Sequence, residues 1–237
     1  MRILSFILLL FMLTGCVFSC NRVRGNGQAV TEVRRPGSFE GIELHSSFNV
    51  EVREGASHQV EVRADKNLLP YIETIVDGDN LVLSTRDRSW LSSRSRIHII
   101  VTAPRLHELR VSGSGDISSR LPLTSGSEVE VTVSGSGTVE ALVDAPVSKA
   151  VVSGSGDISL RGQTRDYKAH ITGSGDIRSY DLASESTEVS VTGSGDAEVY
   201  ASKRLDISVT GSGDVRYKGK PAITQNKSGS GSVAAAD

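Results

Sequence analysis

The stretch VSVTGSGDAEV at residues 189–199 decides the fold, because it joins two short alternating runs through a glycine-rich corner. Val189 and Val191 are separated by one polar residue before the corner, and apolar residues resume with the same spacing at Ala197 and Val199. A period of two is typical of a β-strand, whereas a helix needs apolar residues three and four apart. The stretch therefore predicts a strand, a sharp bend and a second strand.

The same pattern recurs through the C-terminal half of the chain. Gly-Ser-Gly occurs seven times, in copies that begin at Gly113, Gly135, Gly154, Gly173, Gly193, Gly211 and Gly229. A single unit of this size cannot bury its apolar face alone, so such units stack on one another. We therefore predict an all-β fold, a parallel β-solenoid (β-helix) of about seven coils with Gly-Ser-Gly corners. Parallel crossovers favour a right-handed coil.

The positions that flank the corner repeat as well. Two residues before the first glycine of each copy stand Val111, Val133, Val152, Ile171, Val191, Val209 and Lys227. The residue directly before that glycine always carries a hydroxyl: Ser112, Ser134, Ser153, Thr172, Thr192, Thr210 and Ser228. Stacked coils place these residues in columns, with the aliphatic column inside. Lys227 breaks the apolar column, which is typical of a polar terminal coil that caps a solenoid.

An acidic column follows the corner. Its members are Asp116, Asp157, Asp176, Asp196 and Asp214, with Thr138 and Ser232 at the same position in the other two copies. Carboxylates at coil spacing repel one another unless each accepts backbone hydrogen bonds or shares a cation. A row of calcium sites is one interpretation, but nonapeptide calcium repeats need a G-G-x-G-x-D pattern that is missing here. We favour a turn-stabilising role for these aspartates, and we predict no metal site.

The N-terminus is predicted to be an export and anchoring signal. Residues 1–14, MRILSFILLLFMLT, form an apolar run too short to span a bilayer, as in a secretory signal peptide. The following Leu13-Thr14-Gly15-Cys16 resembles a bacterial lipobox, so we predict a signal peptide at residues 1–15 and lipidation of Cys16. Cys20 is a rival site, disfavoured by the bulky Phe18. Val17, rather than Asp, fits sorting to the outer membrane under enterobacterial-type rules.

The remaining chain divides into three predicted parts. Residues 16–38 read as a lipid-anchored polar tether, and residues 39–106 as a β-rich N-terminal part without a period, packed against the first coils. Within it, residues 66–75 suggest a short helix or turn, and the polar segment around Trp90 suggests a loop tip. Residues 107–237 hold the solenoid repeats and their C-terminal cap.

Composition and motifs exclude several function classes. The 237 residues carry a formal net charge of −2 and 5% aromatic residues, which argues against a nucleic-acid partner. Both cysteines lie within the first twenty residues, so no disulfide framework is expected in the folded part. The histidines are dispersed, and neither H-E-x-x-H nor G-x-S-x-G occurs. We predict no catalytic residue and no cofactor. The histidines are His45, His58, His98, His107 and His170.

Segments along the chain resemble the head GIN domain family. They are SFEGI, SFNVEV, VEVRADKNLL, DGDNLVLS, IIVTAPRLHEL and VSGSGDI with its repeats, which together cover about residues 39–233. The resemblance implies a β-helix and a head domain of the auto-transporter adhesin type, commonly on bacterial lipoproteins of the Bacteroidetes. It implies surface adhesion and carries over no catalytic residue.

These observations favour a noncatalytic, lipid-anchored protein of the bacterial cell envelope, in the outer membrane, that acts as an adhesin-like binding module or a structural module. Its expected partners are the membrane, through the anchor, and an envelope or extracellular glycan or protein. The leaflet and the oligomeric state stay open. The alternative is a carbohydrate-active β-helix enzyme of the polysaccharide lyase or hydrolase type. Its candidate residues would be Asp157, Asp176 and Asp196 with Arg161, Arg178 and Lys203.

Overall fold

The computed structural model of the chain describes residues 22–93 and 96–236. The predicted signal peptide and both candidate lipidation sites, Cys16 and Cys20, lie outside the described residues. The fold is all-β, with 66% of the described residues in strands and 2% helical.

In the described part of the chain, nine strands and two 3₁₀ turns precede the repeats. The turns are Leu69–Tyr71 and Arg86–Arg88. The strands are β1 (Arg22–Arg24), β2 (Ala29–Arg34), β3 (Gly41–Leu44), β4 (Asn49–Glu54), β5 (Gln59–Asp65), β6 (Ile72–Asp77), β7 (Asn80–Thr85), β8 (Trp90–Ser92) and β9 (His98–Ala103).

Fourteen strands form the repeats. They are β10 (Glu108–Val111), β11 (Asp116–Ser119), β12 (Leu123–Thr124), β13 (Glu128–Gly135), β14 (Thr138–Gly154), β15 (Asp157–Gly173), β16 (Ile177–Ser179), β17 (Leu182–Ala183), β18 (Ser186–Gly193), β19 (Ala197–Tyr200), β20 (Arg204–Gly211), β21 (Val215–Lys218), β22 (Ala222–Gly229) and β23 (Val233–Ala235).

The repeats stack into two parallel ladders, one on each side of the corner. Before the corner, Val191 of β18 pairs with Ile171 of β15 and with Val209 of β20, so the aligned sequence positions are register partners. After the corner, Ala197 of β19 pairs in the same way with Ile177 and Val215. A third, shorter ladder joins β12, β14, β15 and β17. The predicted parallel β-solenoid of about seven coils is confirmed.

The interior of the solenoid is the predicted stack of small aliphatic side chains. Val133 and Val152 have no exposed surface, and Ile171 is 1% exposed. The same apolar core continues from Phe39 to Val215 without a break. The repeats and the residues before them therefore share one hydrophobic core.

The two corner glycines are required by the spacing of the coils. A Cβ on Gly193 would lie less than 3.0 Å from the backbone oxygen of Gly173, the equivalent residue one coil earlier. A Cβ on Gly195 would meet the backbone oxygen of Gly175 equally closely. Gly193 also has a φ of 128°, a conformation that residues with a side chain rarely adopt. The repeat keeps glycine because adjacent backbones approach each other closely at the bend.

The residues before the repeats also form coils, stacked out of chain order. The coil of β3 and β4 lies directly beside the first repeat, because β3 pairs in parallel with β10 and β4 with β11. The coil of β7 and β9 lies on the far side of it, where β7 pairs with β3 and β9 with β4. In chain order, the coil of β3 and β4 therefore comes first, the outermost coil of β7 and β9 comes second, and the repeats follow. Because chain order and stacking order differ in this part, its sequence shows no regular repeat.

Antiparallel strands close the N-terminal end. β6 pairs with β7 at the end of one ladder, and β5 pairs with β9 at the end of the other. β2 adds antiparallel to β5, whereas β1 forms a separate parallel pair with β8. Residues 22–34, expected to belong to a polar tether, therefore include two paired strands, β1 and β2. Trp90, expected at a loop tip, lies in β8.

The C-terminal end is closed differently, by a polar coil. Every residue of β22 is exposed, and Lys227 stands in the column that holds Val209 one coil earlier. The Nζ of Lys227 donates a hydrogen bond of 2.7 Å to the backbone oxygen of Gly231, across the last corner. A charged side chain at this position disfavours the addition of another strand.

Candidate functional site

The corners of successive coils form a continuous ridge, which we call the corner ridge. It consists of the hydroxyl residue before each Gly-Ser-Gly, the serine within it and the residue at the aspartate position after it. In the central coils the hydroxyl residues Ser153, Thr172 and Thr192 are all exposed, as are the corner serines Ser174 and Ser194. Because the corners are in register, the same polar groups recur once per coil, at a strand spacing of about 4.8 Å.

The aspartates of the ridge form a hydrogen-bond ladder with the backbone. The N–H of Asp176 donates to Oδ1 of Asp157 at 3.1 Å, and the N–H of Asp196 donates to Oδ1 of Asp176 at 3.0 Å. The ladder continues at 2.8 Å from the N–H of Asp214 to Asp196. A separate rung joins the N–H of Thr138 to Asp116 at 3.2 Å, because the N–H of Asp157 donates instead to the backbone oxygen of Gly137. Each carboxylate is thus held by the next coil, which removes much of the repulsion expected of an acidic column.

Arginines neutralise the outer oxygens of the ladder. The guanidinium of Arg178 donates to Oδ2 of Asp176 at 2.9 Å and to Oδ2 of Asp157 at 3.4 Å. Arg216 makes a similar contact of 3.4 Å with Asp214. These pairs offset part of the negative charge of the column at Asp157, Asp176 and Asp214.

The last rung of the ladder is held by two hydrogen bonds from one residue. The Ser232 hydroxyl donates to Oδ1 of Asp214 at 2.8 Å, and the Ser232 backbone N–H donates to the same oxygen at 2.9 Å. These bonds, the hydroxyl first, hold the pKa of the half-buried Asp214 below its ordinary value. The serine that interrupts the acidic column in the sequence therefore completes it in the structure.

The candidate residues of a carbohydrate-active enzyme do not converge into one site. Asp157, Asp176 and Asp196 lie on the ridge, and of the three proposed cations Arg178 contacts two of them, Asp157 and Asp176. Lys203 instead pairs with Glu185 at 2.7 Å. Within residues 22–93 and 96–236, no group of three or more His, Cys, Asp or Glu side chains is placed to hold a metal ion.

The structure also brings together charged residues that the sequence keeps apart. A hollow of about 450 Å³ lies at the N-terminal end, between the segments that lead into β3 and follow β9. Its lining residues are Ser38, Phe39, Glu40, His58, Asp79, Pro104 and Arg105. Arg105 donates to Glu40 at 2.6 Å, and this hydrogen bond, before any other cause, lowers the pKa of Glu40.

One histidine, His58, lines the same hollow, and a second, His107, approaches Glu40 on its wall. His58 Nε2 lies 2.9 Å from the backbone oxygen of Phe39, and the two rings pack edge to face at 4.7 Å between centroids. Nδ1 of His107 lies 3.5 Å from Glu40. Sequence reasoning treated the histidines as dispersed, because only the out-of-order stacking of the N-terminal coils brings Glu40, His58 and His107 together.

A family model described as "Putative auto-transporter adhesin, head GIN domain" matches residues 38–221. A comparison with curated proteins found no match.

Solved structures share the fold. The crystal structure of a "putative adhesin" from Bacteroides fragilis NCTC 9343 is 23% identical, with a TM-score of 0.84 over 90% of this chain and 100% of that one. A "putative adhesin" from Parabacteroides distasonis ATCC 8503 is 26% identical, with a TM-score of 0.73 over 91% and 100% of the two chains. A "putative lipid binding protein" from the same organism is 24% identical, with a TM-score of 0.73 over 92% and 100%.

In the described part of the chain, no helix has the length and apolar character that crossing a membrane requires.

Proposed function

The chain belongs to the head GIN domain family, and on that premise we propose that it is a noncatalytic, lipid-anchored module of the cell envelope that binds a repetitive glycan along its corner ridge. The family and its structural neighbours carry adhesin descriptions, which supports a surface-associated binding role. The anchor is the diacylated Cys16, and the membrane is the outer membrane.

The observation that carries the proposal is the repetition of the ridge. Exposed hydroxyls such as Thr172, Thr192 and Thr210 recur once per coil on a backbone fixed by parallel ladders. A polymer that repeats its own hydroxyl groups meets the same donors and acceptors at every coil, so many weak contacts act together. Because the ridge is rigid before binding, little conformational freedom is lost when the ligand docks.

The state of the carboxylates supports a noncatalytic role. A general acid or base needs a carboxyl group that is free to exchange a proton with the substrate. Along the ridge, Asp157, Asp176 and Asp196 each use one oxygen to hold the next coil. Protonating any of them would weaken the solenoid itself, so a structural role conflicts with proton transfer.

A polysaccharide retention assay tests the proposal. The full chain, displayed on its host cells, is applied to immobilised envelope and extracellular polysaccharides, and retained cells and released oligosaccharides are both counted. Replacing Thr172→Val, Thr192→Val and Thr210→Val removes three ridge hydroxyls at nearly constant shape. The matched control is Ser118→Ala with Ser159→Ala, which removes two hydroxyls from the second ladder, beyond the corner.

The proposal expects retention without cleavage, lost in the threonine variant and kept in the control. Retention that survives the threonine variant would place the site elsewhere. If the unmodified chain releases oligosaccharides and the Asp176→Asn variant does not, the protein is a carbohydrate-active enzyme instead. Labelling with a palmitate analogue tests the anchor separately, since equal labelling of the chain and of a Cys16→Ala variant would contradict it.

A further inference from the structure

The outermost N-terminal coil departs from all the others at its corner. In the repeats the corner is Gly-Ser-Gly, but between β7 and β9 the chain runs through an insertion whose described residues are 86–93 and 96–97. The insertion contains β8, and β8 pairs in parallel with β1, the first described strand of the chain. The end of the solenoid nearest the N-terminus therefore carries a two-stranded sheet that no other coil possesses.

This small sheet has one apolar and one basic face. Val23 and Leu91 are register partners, and Leu91 packs against the main core. Side chains alternate between the faces of a strand, so Arg22, Arg24 and Trp90 occupy the opposite face. Trp90 is 67% exposed, more than any other exposed large hydrophobic residue among those described. A large exposed aromatic side chain beside two arginines is typical of a surface that contacts another molecule.

The cations around Trp90 are free of carboxylate partners. Arg22 and Arg24 are exposed, and within the described residues neither of them forms an ion pair. The guanidinium of Arg22 donates to the Ser92 hydroxyl at 3.3 Å. By contrast, Arg178 and Arg216 on the corner ridge are paired with aspartates. We call Arg22, Arg24 and Trp90 the basic end patch.

The patch lies close to the predicted lipid. Six residue steps separate Cys16 from Arg22, so a fully extended chain spans about 20 Å between them. A diacylated Cys16 would thus hold Arg22 within that distance of the bilayer surface. This step rests on the proposed function, because it uses the anchor.

We infer that the basic end patch docks on an anionic phospholipid bilayer and sets the solenoid upright on the membrane, with β22 and β23 at the far end. Tryptophan is enriched at the interface between headgroups and acyl chains, where its apolar ring and polar N–H are both accommodated. The two arginines beside it are attracted to the anionic lipid headgroups within a Debye length of the surface. In this orientation the C-terminal coils of the corner ridge lie farthest from the membrane.

Tryptophan fluorescence tests the docking, because Trp90 is the one tryptophan of the chain. The full chain, purified from membranes with its anchor, is reconstituted into vesicles of phosphatidylcholine with phosphatidylglycerol. We expect the emission to shift to shorter wavelength and to be quenched by lipids brominated near the top of the acyl chain. One molar salt, which shortens the Debye length to about 3 Å, should reduce both effects.

Matched variants locate the contact. Arg22→Glu with Arg24→Glu should abolish the shift, whereas Arg161→Glu with Lys220→Glu, which reverses two exposed charges on the solenoid, should leave it unchanged. Trp90→Phe with Ile223→Trp moves the fluorophore to the exposed end of β22, where brominated lipid should not quench it.

Vesicle flotation separates the inference from the proposed function. Chain that floats and shows Trp90 quenching supports the docking. Chain that floats while Trp90 stays unquenched overturns the docking and leaves the anchor standing. Chain that stays unbound to anionic vesicles overturns both, and glycan retention is measured independently of either. Equal quenching of the tryptophan at position 223 would also overturn the upright orientation.

Discussion

The seven repeat coils and the two N-terminal coils occupy the same two ladders, but they are built by different local rules. In the repeats, each coil stacks on the coil that follows it in the sequence, and a Gly-Ser-Gly corner recurs because two backbones meet there. At the N-terminus the outermost coil follows the second coil in the chain, and its corner expands into an insertion whose described residues are 86–93 and 96–97. The comparison shows that a solenoid leaves a period in its sequence only where chain order and stacking order agree.

The corner glycines should be the most sensitive positions of the repeats. Gly193→Ala places a Cβ against the backbone of the previous coil and requires a φ of 128°, so we expect it to lower the free energy of unfolding by about 3 kcal/mol. The measurement is chemical denaturation of the purified chain. Gly126→Ala is the control, because a Cβ there meets no atom within 4 Å, and it should change stability by less than about 0.5 kcal/mol. Equal losses at both sites would contradict the close approach at the corner.

The core should be tight in the middle of the solenoid and loose at its C-terminal end. Ile171→Ala removes a side chain that is 1% exposed, so we expect a loss of about 3 kcal/mol of stability. Ile223→Ala removes one that is 42% exposed in the terminal coil, and should cost less than about 1 kcal/mol. The same denaturation experiment checks both. A larger loss at 223 than at 171 would show that another surface covers the terminal coil.

The aspartate ladder should contribute less than the core. Asp176→Ala leaves the backbone N–H of Asp196 without its acceptor, so we expect a loss of about 1 kcal/mol. Asp206→Ala is a matched control, because Asp206 makes a surface ion pair with Arg204 and its removal should cost less than about 0.5 kcal/mol. Hydrogen exchange at the amide of residue 196 gives a local check, since it should accelerate in the first variant and stay unchanged in the second.

The smallest expected effect is on the pH dependence of stability, through Asp214 in the last rung of the ladder. The pKa of Asp214 is lowered in the folded chain, so its contribution to stability is fully present above the ordinary value of 3.8 and is lost as the pH falls through the lower folded value. Ser232→Ala removes the largest cause and should move the Asp214 titration to higher pH. Ser230→Ala, one residue outside this contact, should leave it in place. Carboxyl NMR distinguishes the two, and an unchanged titration in Ser232→Ala would contradict the bond.

Most of the repeat architecture was predictable from sequence, because its interactions join equivalent residues. The column of Val133, Val152 and Ile171 could be aligned by eye, and the structure buries all three. The turn-stabilising role favoured for the aspartates could be proposed in the same way, because they too are equivalent residues of successive coils. The sequence did not indicate which backbone N–H each carboxylate would bind. Sequence reasoning gave no signal for the hollow of Glu40 and His58, because that contact depends on which coil lies beside which.

The N-terminal strands were harder to predict for a related reason. β1 and β2 consist of short, basic, exposed sequences that resemble a tether, and they become strands only because β8 and β5 offer open edges. Strand formation at such positions is decided by the neighbouring edge rather than by local propensity. The basic end patch could therefore be recognised only after the pairing of β1 with β8 was known.

Disulfide trapping between the N-terminal coils tests most directly whether both halves form one solenoid with the stacking order described. Glu43 is the register partner of both Arg110 and Val82, so residues 43 and 110 lie one strand apart and residues 82 and 110 lie two apart. With Cys16 and Cys20 replaced by Ser, Glu43→Cys with Arg110→Cys should crosslink rapidly, because neighbouring strands are about 4.8 Å apart. Val82→Cys with Arg110→Cys should stay reduced at about twice that separation. Rapid crosslinking of 82 to 110, with 43 and 110 unreactive, would contradict the account.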